Sequence, residues 1–247
     1  MVVPNVRAWG FKEKVMIPKV IHYCWFGGKP IPQEVKACIR SWNKYCPDYK
    51  IIRWDEKNFD VTCVPFVKEA YENHAWAFVS DYARLKIVYE NGGIYLDTDV
   101  ELLKSFDSLL KLDSFFGRQQ SGEINTGLGF GAKAKSPVLK YMLAEYDNVQ
   151  FEKNQLLKIS CPLINTKAID SAMKDGVFDS GKNKILPPEY MDPLASGKNA
   201  RNLMSDLTIS VHHYSASWTS NQQRLKRRIA RIIGEETIIK IKSIIGK

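Results

Sequence analysis

The chain has 247 residues, 45% hydrophobic and 26% charged, the balance of an ordinary soluble globular protein. That excludes wholesale disorder, a collagen-like repeat and a multi-span membrane protein, and the length suits one generous domain or two small ones. The net charge of +9 is unevenly placed: residues 224–247 hold eight basic and two acidic side chains, a share of +6, and only +3 remains for everything before them. Five cysteines (Cys24, Cys38, Cys46, Cys63, Cys161) form no CxxC pair. The start, MVVPNVRAWGFKEK, lacks the apolar run of a signal peptide, and no stretch approaches the ~18–20 apolar residues of a membrane span. Free thiols in a reducing cytoplasm are the expectation.

In chain order, KVIHYCW at residues 19–25 is a short run of β-branched and aromatic residues closed by Gly27-Gly28 and Pro30, which predicts a buried strand and a tight loop. Residues 32–45 predict a helix with Val35, Cys38, Ile39 and Trp42 on one face, and residues 49–54 a second strand. A helix follows over 78–89, with Phe78, Tyr82, Leu85 and Tyr89 as its apolar stripe, and it stops at Asn91-Gly92-Gly93. Ile94-Tyr95-Leu96 is a short strand running into Asp97-Thr98-Asp99. Further strands are expected at 114–117, 128–131 and 208–214, and helices at 137–146 and 161–174, the last with Pro162 and Gly176 at weak ends. Alternating elements predict an α/β fold around one sheet. From Leu225 on, Ile229, Ile232, Ile233, Ile238, Ile241 and Ile245 recur at helical spacing among arginines and lysines, the composition of a basic amphipathic helix.

The residues able to do chemistry gather around Asp97 and Asp99. In extended backbone, positions i and i+2 point to one side, so the two carboxylates address one spot. Two hard oxygen donors suit Mg²⁺ or Mn²⁺, which need few protein carboxylates when substrate phosphates complete the shell. Upstream, Asp81 and Arg84 stand one helical turn apart on one face, and the Gly92-Gly93 loop between them and the carboxylates allows close approach of a ligand.

The string S-D-x-x-R-x-x-x-V-x-x-x-G-G-x-Y-x-D-x-D, beginning at Ser80, resembles the motif of the DxD glycosyltransferases. That group includes yeast-type initiating mannosyltransferases, bacterial capsular polysaccharide glycosyltransferases and the catalytic domain of large clostridial toxins. IPKVIHYCWFGG at 17–28 and VHHYSASW at 211–218 are similar to its first strand with nucleotide loop and to its late motif, so the resemblance spans about residues 17–218. It implies a GT-A fold over 1–220, a single Rossmann-like mixed sheet flanked by helices, with the C-terminal amphipathic helix at 221–247 appended. It also implies a nucleotide-sugar donor: Trp25 stacking on the base beside Gly27 and Gly28, Asp81 and Arg84 toward the donor sugar and diphosphate, and Asp97 against ribose and sugar. Asp99 would be the direct metal ligand, Asn125 would face the donor sugar, and Ser217 and Trp218 would lie next to the diphosphate.

His212 and His213 point to opposite faces if they lie in a strand, so at most one serves the site. The family's hydrophobic-His-aromatic sequence favours His213, before Tyr214, as a metal ligand with Asp99 and Asp97. An imidazole in an oxygen shell points to Mn²⁺ ahead of Mg²⁺. The metal would stabilise the departing diphosphate, so no general acid is needed. The resembling families retain anomeric configuration, and no carboxylate nucleophile is evident, which fits a front-face displacement.

The expected activity is a metal-dependent retaining glycosyltransferase using a UDP-sugar, with GDP-mannose as the alternative donor, acting on a glycan or lipid-linked saccharide in capsular or surface polysaccharide synthesis. From another class, the chain could be a catalytically inactive, membrane-associated sugar-binding module; the intact carboxylates and Arg84 speak against it. A glycoside hydrolase needs two carboxylates about 5–9 Å apart flanking a sugar, which a metal-holding pair does not provide. Nucleic acid is not an expected partner, because no aromatic residue follows Trp218 to stack on bases.

The tail is expected to dock the enzyme peripherally on the inner face of the plasma membrane, where each basic residue near anionic headgroups gains about 1 kcal/mol. A helix packed on the domain or mediating a homo-oligomer is the competing role. Co-sedimentation with anionic liposomes is predicted for the full chain and lost on removal of residues 221–247; equal binding of the two would refute the membrane role.

Overall fold

Strand and helix alternate at the start of the fold, and the first three strands set the frame for everything functional. The computed structural model describes residues 16–152, 156, 158–195 and 200–214. Strand β1 (Val20–Cys24) is followed by helix α1 (Gln33–Tyr45), β2 (Lys50–Trp54), α2 (Pro65–Glu72), α3 (Trp76–Asn91) and β3 (Gly93–Tyr95). Then come β4 (Val100–Leu102), β5 (Ser114–Gly117), β6 (Phe130–Ala132), α4 (Pro137–Glu145), α5 (Cys161–Lys174), β7 (Asn183–Leu186), α6 (Pro188–Met191) and β8 (Ser210–His212). Six strands form a mixed sheet in the order β2-β1-β3-β6-β5-β7, parallel at β2/β1, β1/β3 and β5/β7 and antiparallel around β6. β4 and β8 make a separate antiparallel pair. The single-sheet expectation holds for the main sheet, and this small second sheet is an addition to it.

Period-two alternation divides the strands between two cores. Tyr95, Phe116 and Phe130 face a core with α2, α3, α4 and α5, whereas Ile94 and Phe115 face a second core with Trp42 of α1, Phe106 and Leu110. Both faces are therefore covered, as in α/β proteins generally. Helix α3 is buried around most of its circumference, at Val79, Tyr82, Ala83, Leu85, Ile87 and Val88 and also at Asp81 and Arg84. The expected stripe was too narrow, and its Phe78 and Tyr89 are only half-buried, because α3 lies between the sheet and its neighbours α2 and α4. Helix α1 does have the narrow face the periodicity predicts: Val35, Cys38 and Trp42 are buried. It is also tied to the small sheet, since the Trp42 indole N–H donates to the Val100 carbonyl at 2.8 Å and Leu102 N–H donates to Ser41 Oγ at 2.9 Å.

His22, in the centre of β1, is buried between two fixed partners. The Trp54 indole N–H, a donor only, donates to His22 Nδ1 at 3.0 Å, so Nε2 carries the ring proton and donates it to the Gly92 carbonyl at 2.9 Å. Nδ1 cannot take a proton without losing Trp54. Burial lowers the His22 pKa from 6.5 to about 4, the Gly92 carbonyl opposing it. Ser217, Trp218 and the tail at 221–247 lie outside the described residues.

A folded-state pKa below the unfolded one contributes stability above the unfolded value that is lost as pH falls. His22 is therefore expected to cost about 2.5 kcal/mol of stability between pH 7 and pH 4.5. Denaturant midpoints of the parent and His22→Gln across that window check this. The parent should lose stability faster by about that amount, and parallel curves would contradict it.

Candidate active site

Three parallel strands deliver three loops to one edge of the sheet. β1, β2 and β3 run the same way and in register, so Trp25–Gly28, Asp55-Glu56 and Asp97–Asp99 all emerge past their carboxyl ends, the place where open α/β sheets take ligands. Gly27 has φ +87°, and a Cβ there would come within 2.6 Å of the Trp76 indole, so only glycine lets the loop follow this path. Its N–H donates to Glu56 at 2.6 Å, which ties the first loop to the second. Trp25 is half-buried, and its indole N–H donates to the Lys29 carbonyl at 2.6 Å.

Beyond β3 the backbone does not stay extended, as the i, i+2 spacing suggested. It turns, with Val100 N–H donating to the Asp97 carbonyl at 3.0 Å, because the chain is leaving the main sheet for β4. The carboxylates still converge. Asp97, Asp99 and His212 each bring one ligand atom to a spot where all three lie within 4.8 Å of one another.

The pairing of β4 with β8 decides which histidine takes part. Val100 stands opposite His212, and the His213 amide donates to the Asp99 carbonyl at 2.9 Å, so β8 ends beside the turn. His212 is the buried one, with Nε2 3.1 Å from Asp99 Oδ1. His213, the expected ligand, points the other way, its Nε2 2.9 Å from Glu101 and its side chain 39% exposed. The similarity to the late motif favoured His213, whereas the residue brought beside the carboxylates is His212, and strand alternation turns its neighbour to the opposite face.

Arg84 is the hub of the buried side of the site. Its guanidinium lies 2.5 Å from Asp81 and 3.6 Å from Asp97, its Nε donates to the Ser80 carbonyl at 3.1 Å, and its plane sits 5.1 Å from the Tyr95 ring centre. Tyr95 in turn donates its hydroxyl to Asp97 at 3.0 Å. Burial raises the Asp81 carboxyl to about 6 against the pull of Arg84, and burial likewise raises Asp97, with Arg84 opposing and Asp99 adding to it. Arg84 is 3% exposed, and its guanidinium is shared between Asp81 and Asp97.

Asn125 does come to this place. A Cβ on Gly127 would fall 2.6 Å from Asp97, 2.9 Å from Asn125 and 3.1 Å from Arg84, so the Asn125–Gly127 turn lies directly on the carboxylate cluster. Asn125 accepts from Gly127 N–H at 2.7 Å and donates to Gln119 at 3.1 Å. Below it, Asn165 donates to Thr126 and to the Cys161 sulfur, both at 2.9 Å, which pins the turn to α5. Sequence reasoning missed Tyr95, Glu56, Gln119, Thr126, Cys161 and Asn165 as parts of the site. Tyr95 alone left a trace, two residues before Asp97 in the motif string.

Two carboxylates and an imidazole fit a divalent cation that accepts both oxygen and nitrogen, and Mn²⁺ suits such a mixed set. Burial disfavours a charged His212, yet Asp99 and, farther off, Asp97 and Asp192 outweigh it and raise its pKa. In this state a proton is drawn to the place a cation would occupy.

A family model described as the glycosyltransferase sugar-binding region containing the DXD motif matches residues 32–116, a stretch that contains Asp81, Arg84, Asp97 and Asp99. An uncharacterized glycosyltransferase of Acanthamoeba polyphaga mimivirus is 26% identical over 228 residues, 85% of this chain and 87% of that protein. Inositol phosphoceramide mannosyltransferase 3 of Schizosaccharomyces pombe is 31% identical over 123 residues, 48% of this chain but only 34% of the yeast protein. Among solved structures, the PaToxG glycosyltransferase shares the fold, with a TM-score of 0.54 and 21% identity over 67% of this chain and 72% of that one.

Removing the guanidinium would leave the buried Asp81 and the half-buried Asp97 without their cation, a loss of about 3 kcal/mol. Arg84→Gln is expected to lower the denaturant midpoint accordingly at pH 7, and adding Asp81→Asn to recover part of it. A parent-like midpoint for Arg84→Gln would show that the site does not hang on this residue.

Proposed function

We propose that this chain, a glycosyltransferase of the GT-A type, performs metal-dependent transfer of a hexose from a nucleoside-diphosphate sugar to a glycan or lipid-linked acceptor. The observation that carries this is the convergence of Asp97, Asp99 and His212 on one spot at the carboxyl edge of the parallel strands. Asp99 and His212 would hold the cation, with Asp97 beside them. Bound there, the cation supplies Lewis-acid neutralisation of the diphosphate that departs with the electrons of the anomeric bond.

The chain's own residues then have distinct tasks. Tyr95 and Arg84 both engage Asp97 and fix the rotamer of its carboxylate. The Asn125–Gly127 turn closes over that carboxylate and presents Asn125 on the side where the donor sugar would lie. Gly27, held by Glu56, shapes the loop beside the half-buried Trp25, whose ring would stack on the nucleotide base. Retention of configuration and the absence of a carboxylate nucleophile remain part of the proposal.

The donor divides into two specific readings. A UDP-sugar follows from the resemblance to bacterial capsular enzymes. A mannosyl donor is favoured by the similarity to the fission-yeast inositol phosphoceramide mannosyltransferase, which also makes a lipid-borne headgroup a candidate acceptor. Peripheral docking through residues 221–247 belongs to the same proposal. Among the described residues no helix is long and apolar enough to cross a membrane.

Release of nucleotide from a panel of UDP- and GDP-sugars with Mn²⁺ tests the activity and identifies the donor. His212→Ala is expected to lower turnover at limiting Mn²⁺ by about a hundredfold, the upper range for disturbing a metal site, whereas His213→Ala should stay within about threefold of the parent. The reverse order, or full turnover in the presence of excess chelator, would contradict the metal reading.

A further inference from the structure

We propose that Asp192 and Tyr214 form a positioning pair that holds the His212 imidazole in its metal-facing orientation. This rests on the metal site proposed above and concerns residues that neither the DxD motif nor the family match includes.

A metal-ligating histidine is ordinarily fixed by a hydrogen bond from its second ring nitrogen. Among the described residues His212 has no such bond. With Nε2 directed at Asp99, its buried Nδ1 finds no hydrogen-bond partner among the described residues. Besides Asp99, the described neighbour that restrains the ring is Tyr214, whose ring stands against it edge-on, with centroids 4.2 Å apart and planes at 79°. Such an arrangement matches the quadrupole preference of aromatic pairs and restricts rotation of the imidazole.

Tyr214 is itself fixed at its far end. Its hydroxyl donates to Asp192 Oδ1 at 2.7 Å, and the other Asp192 oxygen accepts the Gln120 N–H at 2.8 Å. The Gln120 side chain donates back to the Asp192 carbonyl at 3.0 Å, and Asp192 is 1% exposed. A carboxylate so placed is an immobile anchor at the end of α6. The Tyr214 backbone also adopts φ +47°, a left-handed conformation that non-glycine residues seldom take. Leaving β8 in that conformation brings the Tyr214 ring back over His212, two residues earlier. The chain of contacts runs Gln120, Asp192, Tyr214, His212, Asp99 and links the loop after β5 and the end of α6 to the metal-facing imidazole.

Mn²⁺ affinity, read by the electron paramagnetic resonance of free Mn²⁺ with and without UDP, tests this directly. Tyr214→Phe keeps the ring and removes the anchor; Tyr214→Leu removes both. The expected results are a roughly tenfold rise in the Mn²⁺ Kd for Tyr214→Phe and a rise toward a hundredfold for Tyr214→Leu, the range for supporting residues of metal sites. At saturating Mn²⁺, kcat should return to within about threefold of the parent, because the pair orients a ligand and does not touch substrate. If Tyr214→Leu fails to fold, as judged by circular dichroism, Tyr214→Phe carries the test. Parent-like Mn²⁺ affinity in a folded Tyr214→Phe, or a kcat deficit that saturating Mn²⁺ does not repair, overturns the positioning role alone. A parent chain that binds no Mn²⁺ under either condition overturns the metal site and this inference with it.

Discussion

A guanidinium buried between two carboxylates sets the terms for the rest of the molecule. Arg84 is almost fully out of water, and so is Asp81 one turn before it, so neither could remain charged without the other. Asp97 completes the arrangement from a different element, which makes the ion cluster a bond between α3 and the end of β3. Because an uncompensated charge at that depth is so costly, the position of α3 on the sheet and the rotamer of Asp97 are fixed together. The stability of the fold and the geometry of the site share one interaction. The Gly127 turn can then pack against the carboxylate only because no Cβ intervenes.

The second constraint is backbone pairing far apart in sequence. β4 and β8 are only three residues each and are separated by more than a hundred positions, yet their register carries His212 to Asp99 and sends His213 to Glu101. In a strand, a shift of one residue changes the face of every side chain. The choice between adjacent histidines is therefore made by the small sheet, whose position α1 braces through the Trp42 indole and Ser41 hydroxyl. The placement of the imidazole beside the carboxylates thus depends on a helix with no side chain in the site.

Much of this was legible in the chain and some was not, for physical reasons. α5 spans the predicted residues, and α1, β1, β2 and β5 fall within a residue of prediction, because each has a strong period or clear Pro and Gly punctuation. Helix α2, short and opened by Pro65, and β7 and α6, four residues each, hold too few positions to establish a period. The DxD pair, Asp81, Arg84 and Asn125 were local or motif-borne and proved to be neighbours in space. Asp192, Gln120 and Asn165 are brought in by tertiary pairing alone, and nothing in their own segments marks them. The +9 charge of the sequence divides between a tail outside the described residues and a domain whose central cluster is, on balance, anionic and suited to a cation.

The proposed function turns on a divalent cation between Asp99 and His212. Anomeric chemistry, donor choice and acceptor all lie downstream of it. An anomalous difference map collected at the manganese edge, from crystals grown with Mn²⁺ and a nucleoside diphosphate, would test it most directly. One peak is expected within coordination distance of an Asp99 carboxylate oxygen and His212 Nε2, beside Asp97. A peak at His213 and Glu101 instead, or none at this cluster, would contradict it.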